Sequence, residues 1–529
     1  MKIAFFPVDG VGHINPMLAL ASTLMRQGHH CRFFLGSDKT ESLIDQLPFT
    51  KESYEFCEYF PEEERGMAMS KDSMKGVIPP YEEQDERERR LPDILMFRII
   101  KVLDTYPRAL ARLQEYSPDV IIHDNCLAIP AYAAYLMNIP VVSLCTLPSI
   151  NHIGIFMGRK TDEEMLVTLE DYRNSTLLKR ARDEFLQKYA FDIFEDAALV
   201  QPYLKNGLNI CTGIKDFELD IPQVIKDNYE GYDNECVYVG PMLLTEEEGR
   251  VSKITDGPPP KHQWIDEPFP YDTLQKYKDQ GKKIVYASFG TVAPSKFMWT
   301  WEGPPSKMFG AQSSGKEYCR TLWQRLFQVL GGKEDYIVVM ASQSQDPDAL
   351  QGFDIPTNFI IRRICPQLKV LEVADIFITH GGANSVMESI SHNVPMLVLP
   401  FFADQFDNAK MVSQKGMGLH HHNALAECTS AVLEEDIARL MKDRASFVSV
   451  CERVHGNLKN AGGSEEASKH IEAYVNAFQG HEMVRSSSKR YEGYLQRCNA
   501  CLLPSLDSVE NILQIFDGAG KTKRQRAAY

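Results

Sequence analysis

The stretch 374–388 constrains this chain more than any other. Ala374-Asp375-Ile376-Phe377-Ile378-Thr379 is an apolar, β-branched run of strand length, followed by His380, the pair Gly381-Gly382, and a helical pattern that carries Asn384, Ser385 and Glu388. A strand, a glycine turn and a helix start leave unbonded N–H groups facing one point, together with the positive end of the helix dipole, roughly half a charge. That is a seat for a phosphate-like anion. The glycines let the backbone come close, and Asn384 and Ser385 add side-chain donors. Glu388, one helical turn further in, is placed to accept bonds from a ribose diol, as an acidic residue does in dinucleotide sites. A second apolar run, 394–400, leads to Asp404-Gln405. An ordinary βα turn of a parallel sheet would account for the glycine pair alone, but not for the whole ordered set.

That set, Pro366-Gln367, His380-Gly381-Gly382, Asn384-Ser385, Glu388, Pro395, Pro400, Asp404-Gln405 and Asn408, resembles the donor-binding signature of the UDP-glycosyltransferases. The resemblance implies an α/β chain of the GT-B type, in which two Rossmann-like doubly wound domains face each other across a cleft. It implies that His380, Asn384 and Ser385 hold a diphosphate, that Glu388 holds the ribose, and that Asp404 and Gln405 bond sugar hydroxyls. Gly12, Ser288, Gly290, Thr291, Cys365, Gln367 and Gly382 would complete the donor site. Family members often carry an aromatic residue two places before the Pro-Gln pair, to stack on uracil; here Ile364 stands there. The diphosphate is thus better specified than the base. Sterol glucosyltransferases commonly read Gly-Thr where this chain has Asn384-Ser385, which points away from that subgroup.

The chain begins with a second βαβ pattern. Lys2-Ile3-Ala4-Phe5-Phe6 reads as a strand and Gly10-Val11-Gly12-His13 as a turn. Asn15 and Pro16 read as N-cap and first residue of a helix that ends near Gly28, and 31–35 as the next strand. Open α/β sheets bind ligands at the carboxyl ends of their strands, where His13 falls. A helix N-terminus favours the neutral imidazole, which can accept a proton from a hydroxyl. A turn histidine bonded to its own loop is the competing reading. The Gly-x-Gly-His-Ile-Asn-Pro run resembles the family's N-terminal motif, and the resemblance makes His13 the catalytic base. Val120-Ile121-Ile122-His123-Asp124 is a buried strand ending in two polar residues. Asp124 could orient an imidazole or cap the segment that follows. The family's strand-end Asp favours the pairing with His13, while His123 should point to the other side of the strand.

The expected domains are 1–244, which binds the acceptor; a polar, proline-rich linker, 245–280; 281–479, which binds the nucleotide sugar; and an extension, 480–529, ending in a frayed basic tail. Further strands are expected at 140–145, 209–212, 237–241, 283–288, 336–340 and 359–362. The segment 293–318 delays the helix expected after the Ser288-Phe289-Gly290-Thr291 turn. It holds two of the four tryptophans, Trp299 and Trp301. A long irregular loop of this kind reads as a lid near the acceptor. His420-His421-His422 reads as a surface run, and Asp346-Pro347-Asp348 as a surface turn and not a manganese site.

At 529 residues, with 44% hydrophobic and 24% charged residues, the chain has the composition of a soluble two-domain protein. A formal charge of −15 argues against nucleic acid or an anionic membrane as main partner. The twelve scattered cysteines suit reduced core thiols, and the Cys498–Cys501 pair lacks a second pair for zinc. No run reaches the roughly 18 apolar residues of a spanning helix, so a cytoplasmic chain without signal peptide or transmembrane anchor is expected. The expected activity is metal-independent and cofactor-free: inverting transfer of a hexose, glucose first, from a UDP-sugar to a hydroxyl of a hydrophobic small molecule, by a monomer. The rivals are a GT-B UDP-sugar epimerase or hydrolase, and an inactive nucleotide-sugar-binding protein.

Overall fold

The computed structural model describes residues 1–8, 11–35, 54–56, 76–127, 129–149, 167, 170–189, 207–219, 236–243 and 269–478. The charge cluster at 61–65, most of the linker, most of the acceptor-side segment 150–200 and the extension with Cys498 and Cys501 lie outside them.

Among the described residues the strands form two sheets, one of seven strands and one of six, and every pairing is parallel. The first contains β1 (Lys2–Phe6), β2 (His30–Leu35), β3 (Tyr54–Phe56), β4 (Val120–Asp124), β5 (Val141–Cys145), β6 (Leu208–Cys211) and β7 (Cys236–Tyr238), in the order 3-2-1-4-5-6-7. The second contains β8 (Lys283–Ser288), β9 (Tyr336–Ala341), β10 (Phe359–Arg362), β11 (Ile376–Thr379), β12 (Met396–Val398) and β13 (Gly418–His420), in the order 10-9-8-11-12-13. Parallel strands covered on both faces must be apolar almost throughout, which is why these runs are continuous and not alternating. Their register stacks rings across neighbouring strands: Phe5 on Phe33 at 4.9 Å and Tyr286 on Phe377 at 4.7 Å between centroids. Full burial of each ring contributes roughly 1.5–3 kcal/mol.

Each sheet reverses its winding beside its first strand, between β1 and β4 in one and between β8 and β11 in the other. A ligand crevice opens at the carboxyl ends of the strands at such a point. All four strand ends at these two crevices carry residues singled out from the sequence.

Several expectations change. The first helix is Val11–Arg26, so it begins before Pro16, which lies inside it. His13 is therefore in the first helical turn and not in a preceding loop, and Asn15 is buried and is not an N-cap. Pro16 has no N–H to return to the Gly12 carbonyl, a loss tolerable so near the helix start. The segment 293–318 is not an open lid. It folds into the short helices Lys296–Trp299 and Pro305–Met308, and Trp299 and Trp301 are buried in the second domain's core. Trp299 Nε1 donates to Asp346 Oδ2 at 2.7 Å, so the Asp-Pro-Asp turn anchors this segment.

The segment 269–280, assigned above to the linker, contains the helix Tyr271–Asp279, whose Leu274 is fully buried against the second sheet. At the other end, the helix Gly463–Ala477 crosses back to the first domain, as the family resemblance implied for this region. Its Ala467 and Ile471 join the core around β1, and Thr23 and Ser464 share a 2.8 Å hydrogen bond. The histidine run is also not a simple surface feature. His421 is half-buried and bonds Asp436 at 2.5 Å through Nε2, while His422 is exposed against Phe406.

Candidate active site

On the first domain, β1 delivers the helix that carries His13, and the adjacent β4 ends in Asp124. His13 Nδ1 stands 2.7 Å from Asp124 Oδ2, with the carboxylate fully buried and the imidazole about a quarter exposed at 26%. The other carboxylate oxygen accepts from the Cys126 N–H at 2.9 Å. Asp124 therefore orients the imidazole and caps the following turn at once, one oxygen for each. Burial alone would raise the Asp124 carboxyl, but His13 and the Cys126 N–H outweigh it and hold the pKa below the ordinary value. An ionised carboxylate accepts from Nδ1–H and leaves Nε2 as the basic nitrogen.

Thr146, the first residue after β5, places its hydroxyl 3.1 Å from the same Nδ1. Thr146 was not singled out from the sequence, although its place at a strand's carboxyl end could have marked it. His123 bonds the Asp124 carbonyl at 2.8 Å and is pushed down to about 4 by burial, so it is a neutral core histidine beside the pair.

On the second domain, Ser288 ends β8 and is buried, while Gly290 turns the chain at φ 73°. A methyl group on Gly290 would lie 2.3 Å from His380 Nε2, and one on Gly382 would lie 2.5 Å from it. Both positions thus need glycine to hold the His380 ring between the two turns, and Gly290 needs it for its backbone as well. Burial pushes His380 down to about 4, with a bond to the Ser288 backbone opposing, so the ring is neutral. Thr291, one residue on, is exposed.

The helix Ala383–Ser391 starts at Gly382 with no side-chain cap, so its first N–H groups are left for a ligand. Asn384 and Ser385 lie half-buried on that first turn. Glu388, only 2% exposed, accepts from Gln367 Nε2 at 2.6 Å, and Gln367 in turn accepts from the Tyr286 hydroxyl at 3.1 Å. This chain fixes the Glu388 carboxylate from behind. Cys365 sits in the core with its thiol raised to about 12 by burial, so only its backbone is available to a ligand. Ile364 beside it is half-buried.

Asp404 and Gln405 follow β12. Asp404 Oδ2 accepts from Asn408 Nδ2 at 2.8 Å, and the same nitrogen reaches the Gly381 carbonyl at 2.8 Å. Asn408 therefore ties the 404 turn to the glycine turn. Gln405 Oε1 accepts from the backbone of Phe401 and Phe402 at 2.9 and 3.2 Å, which shapes the loop 400–405 from within.

The two half-sites face each other. A methyl group on Gly12 would meet Asn384 Nδ2 at 3.9 Å, so the helix start that carries His13 stands directly across from the uncapped helix start. Two groups of side chains among the described residues could in principle hold a metal. One is His13, Asp124 and Cys126; the other is His421, Cys428 and Asp436. In both the histidine already bonds the carboxylate. No helix among the described residues is long and apolar enough to cross a membrane.

The family model described as UDP-glucoronosyl and UDP-glucosyl transferase matches residues 340–455, which include β11, its glycine turn and the loop 400–405. The chain is 24% identical over 473 residues to the NDP-glycosyltransferase YjiC of Bacillus subtilis, covering 89% of this chain and 97% of that one. It is 32% identical to the oleandomycin glycosyltransferase of Streptomyces antibioticus over 124 residues, 23% of this chain and 28% of that protein. Among solved structures, the calicheamicin glycosyltransferase CalG4 is similar with a TM-score of 0.58 at 19% identity, covering 90% of this chain and 99% of the other. The spinosyn rhamnosyltransferase SpnG, solved with thymidine diphosphate, gives a TM-score of 0.55 at 13% identity, covering 89% of this chain and 100% of the other.

Proposed function

From the premise that the chain is a glycosyltransferase of the UDP-glycosyltransferase family, we propose that it moves a hexose, glucose first, from a UDP-sugar to a hydroxyl of an apolar small molecule with inversion at the anomeric carbon. The observation that carries this reading is the 2.7 Å His13–Asp124 pair, set across the cleft from an uncapped helix start. His13 Nε2 takes the acceptor proton as the oxygen attacks the anomeric carbon, and Asp124 stabilises the imidazolium that forms. The diphosphate leaves on the face opposite the attack, so an α-linked donor yields a β-linked product. Its developing charge is met by the N–H groups of residues 382–385, donors already in place before reaction, with His380 packed beside them. Glu388, held by Gln367, accepts from the ribose, and Asp404 with Gln405 bonds the sugar hydroxyls.

No step in this scheme calls on a metal or a cofactor, and the donor is a co-substrate. The reading extends to a cytoplasmic enzyme acting as a monomer. A GT-B epimerase is disfavoured because it would lack the His13–Asp124 pairing, and a hydrolase, which could use the same base on water, is distinguished by acceptor-independent release. An inactive binding protein is disfavoured because base and carrier are both intact. For the base, Ile364 offers no stacking ring, and the similar rhamnosyltransferase SpnG is solved with thymidine diphosphate, so a thymidine-diphosphate sugar is the second donor to test.

The test is a panel of UDP- and thymidine-diphosphate-linked hexoses, with phenolic and terpenoid acceptors, followed by release of the nucleoside diphosphate. Acceptor-dependent release from UDP-glucose and a β-linkage by NMR are expected. Release that ignores the acceptor, or an α-linked product, would overturn the reading.

A further inference from the structure

The segment 293–314, which the transfer mechanism above does not use, spans from one domain to the other. Its tip carries Lys307, only 5% exposed, on the turn Pro305–Met308. The Lys307 ammonium reaches out of the second domain into the first. There it donates to the backbone carbonyls of Glu88 and, at 3.0 Å, Leu91, and it pairs with Asp93 Oδ1 at 3.0 Å. Ser306 adds a bond from its hydroxyl to the Arg89 carbonyl at 3.0 Å. A buried ammonium is costly unless its partners are fixed, and these are.

Glu88 is held by a capping box with Asp85 and by the Leu177 N–H at 3.1 Å. Arg90 grips Asp171 with two bonds, at 2.6 and 2.8 Å. The receiving end is thus a rigid corner of the first domain, immediately before the long helix Asp93–Tyr116.

Two residues after Lys307 the segment touches the loop 400–405 of the second domain. The Phe309 carbonyl accepts from the Ala403 N–H at 2.9 Å, one residue before Asp404. Both residues adopt left-handed backbone, φ 49° at Phe309 and φ 55° at Ala403. For side chains with a Cβ this backbone is strained and persists only where the surroundings enforce it. A continuous path therefore runs from the corner 85–93 through Lys307 and Phe309 to the loop 400–405.

We propose that 293–314 is an interdomain strut and that Lys307 is a positioning residue, which sets the loop 400–405 against the acceptor-side wall. This rests on the transfer reading only in assigning that loop to the donor sugar. The strut itself is a claim about how the domains are held.

The test compares wild type, Lys307→Met, Asp93→Asn and the double variant by small-angle scattering, UDP calorimetry and transfer from UDP-glucose to 4-methylumbelliferone. In Lys307→Met the radius of gyration should rise while the UDP Kd stays within about twofold, since the diphosphate seat is untouched. Transfer kcat/KM should fall about tenfold or more in each single variant, and the double variant should be no worse than the poorer single, because the two groups act as one pair. Unchanged scattering in Lys307→Met would overturn the strut whatever the enzyme's substrate. Losses that multiply in the double variant, unchanged kcat/KM, or a collapse of UDP binding would overturn the positioning role. Wild type that transfers to no acceptor, with scattering that still responds to Lys307→Met, would sink the transfer reading and keep the strut.

Discussion

Replacing Asp124 with Asn tests the division of labour at the base most sharply. The change keeps the shape of a fully buried side chain and can keep the bond from the Cys126 N–H, made by Oδ1 at 2.9 Å. What it alters is the 2.7 Å contact with His13 Nδ1, where an amide NH₂ would replace an accepting oxygen. An NH₂ there forces Nδ1 to accept, moves the ring proton to Nε2, and leaves no lone pair for the acceptor hydroxyl. The imidazolium that forms in reaction also loses its counter-charge. At about 4 Å and an effective dielectric near 20, that attraction is about 4 kcal/mol, or about a thousandfold in rate. With the tautomer penalty added, kcat should fall roughly 10³- to 10⁴-fold. The assay is single-turnover transfer beside UDP calorimetry and a melting curve. UDP affinity should stay within about twofold and Tm within a few degrees. A kcat within about tenfold of wild type would show that Asp124 only caps its turn and would refute the reasoning.

Other expectations follow from the same geometry. Thr146→Val removes the 3.1 Å contact to Nδ1 but leaves Asp124, so kcat should fall only about tenfold, and a loss as large as that of Asp124→Asn would overturn this ranking. Gly290→Ala places a methyl 2.3 Å from His380 Nε2 at a left-handed backbone position, so UDP Kd should rise at least about tenfold by calorimetry. Gln367→Leu leaves Glu388 buried without its 2.6 Å partner, and UDP binding should weaken while kcat at saturating donor changes little. His123, pushed down to about 4 from 6.5, binds its proton more readily when unfolded. Its neutral form therefore supports the fold above about pH 6.5, and that support is lost as pH falls toward 4. The contribution is about 3 kcal/mol. Urea melts across this window should flatten in His123→Gln, and an unchanged pH slope would count against the assignment.

Much of this architecture was readable because parallel strands covered on both faces must be continuous apolar runs. The unlooked-for strands, Tyr54–Phe56 and Gly418–His420, are three residues each and carry no such run. The donor half-site was readable as well, since strand, glycine turn and helix start are contiguous in sequence. The first helix misled because Asn15-Pro16 is a strong start signal, yet the helix begins at Val11 and carries a buried Asn15 inside it. Burial of Trp299 and Trp301 could not be seen, because their segment has no periodicity and is ordered by distant partners such as Asp346. The interdomain seat of Lys307 was hidden for the same reason, with partners more than 200 positions away. His421 looked exposed in a polar run until Asp436 came into reach from the helix Ser430–Lys442.

The central claim is that one domain grips the diphosphate while the other removes the acceptor proton. Its most direct test is His13→Ala, read by UDP calorimetry and by transfer from UDP-glucose to a phenol under saturating donor. UDP should bind as in wild type while transfer falls by about a thousandfold or more. Transfer near the wild-type rate, or UDP binding lost together with transfer, would contradict it.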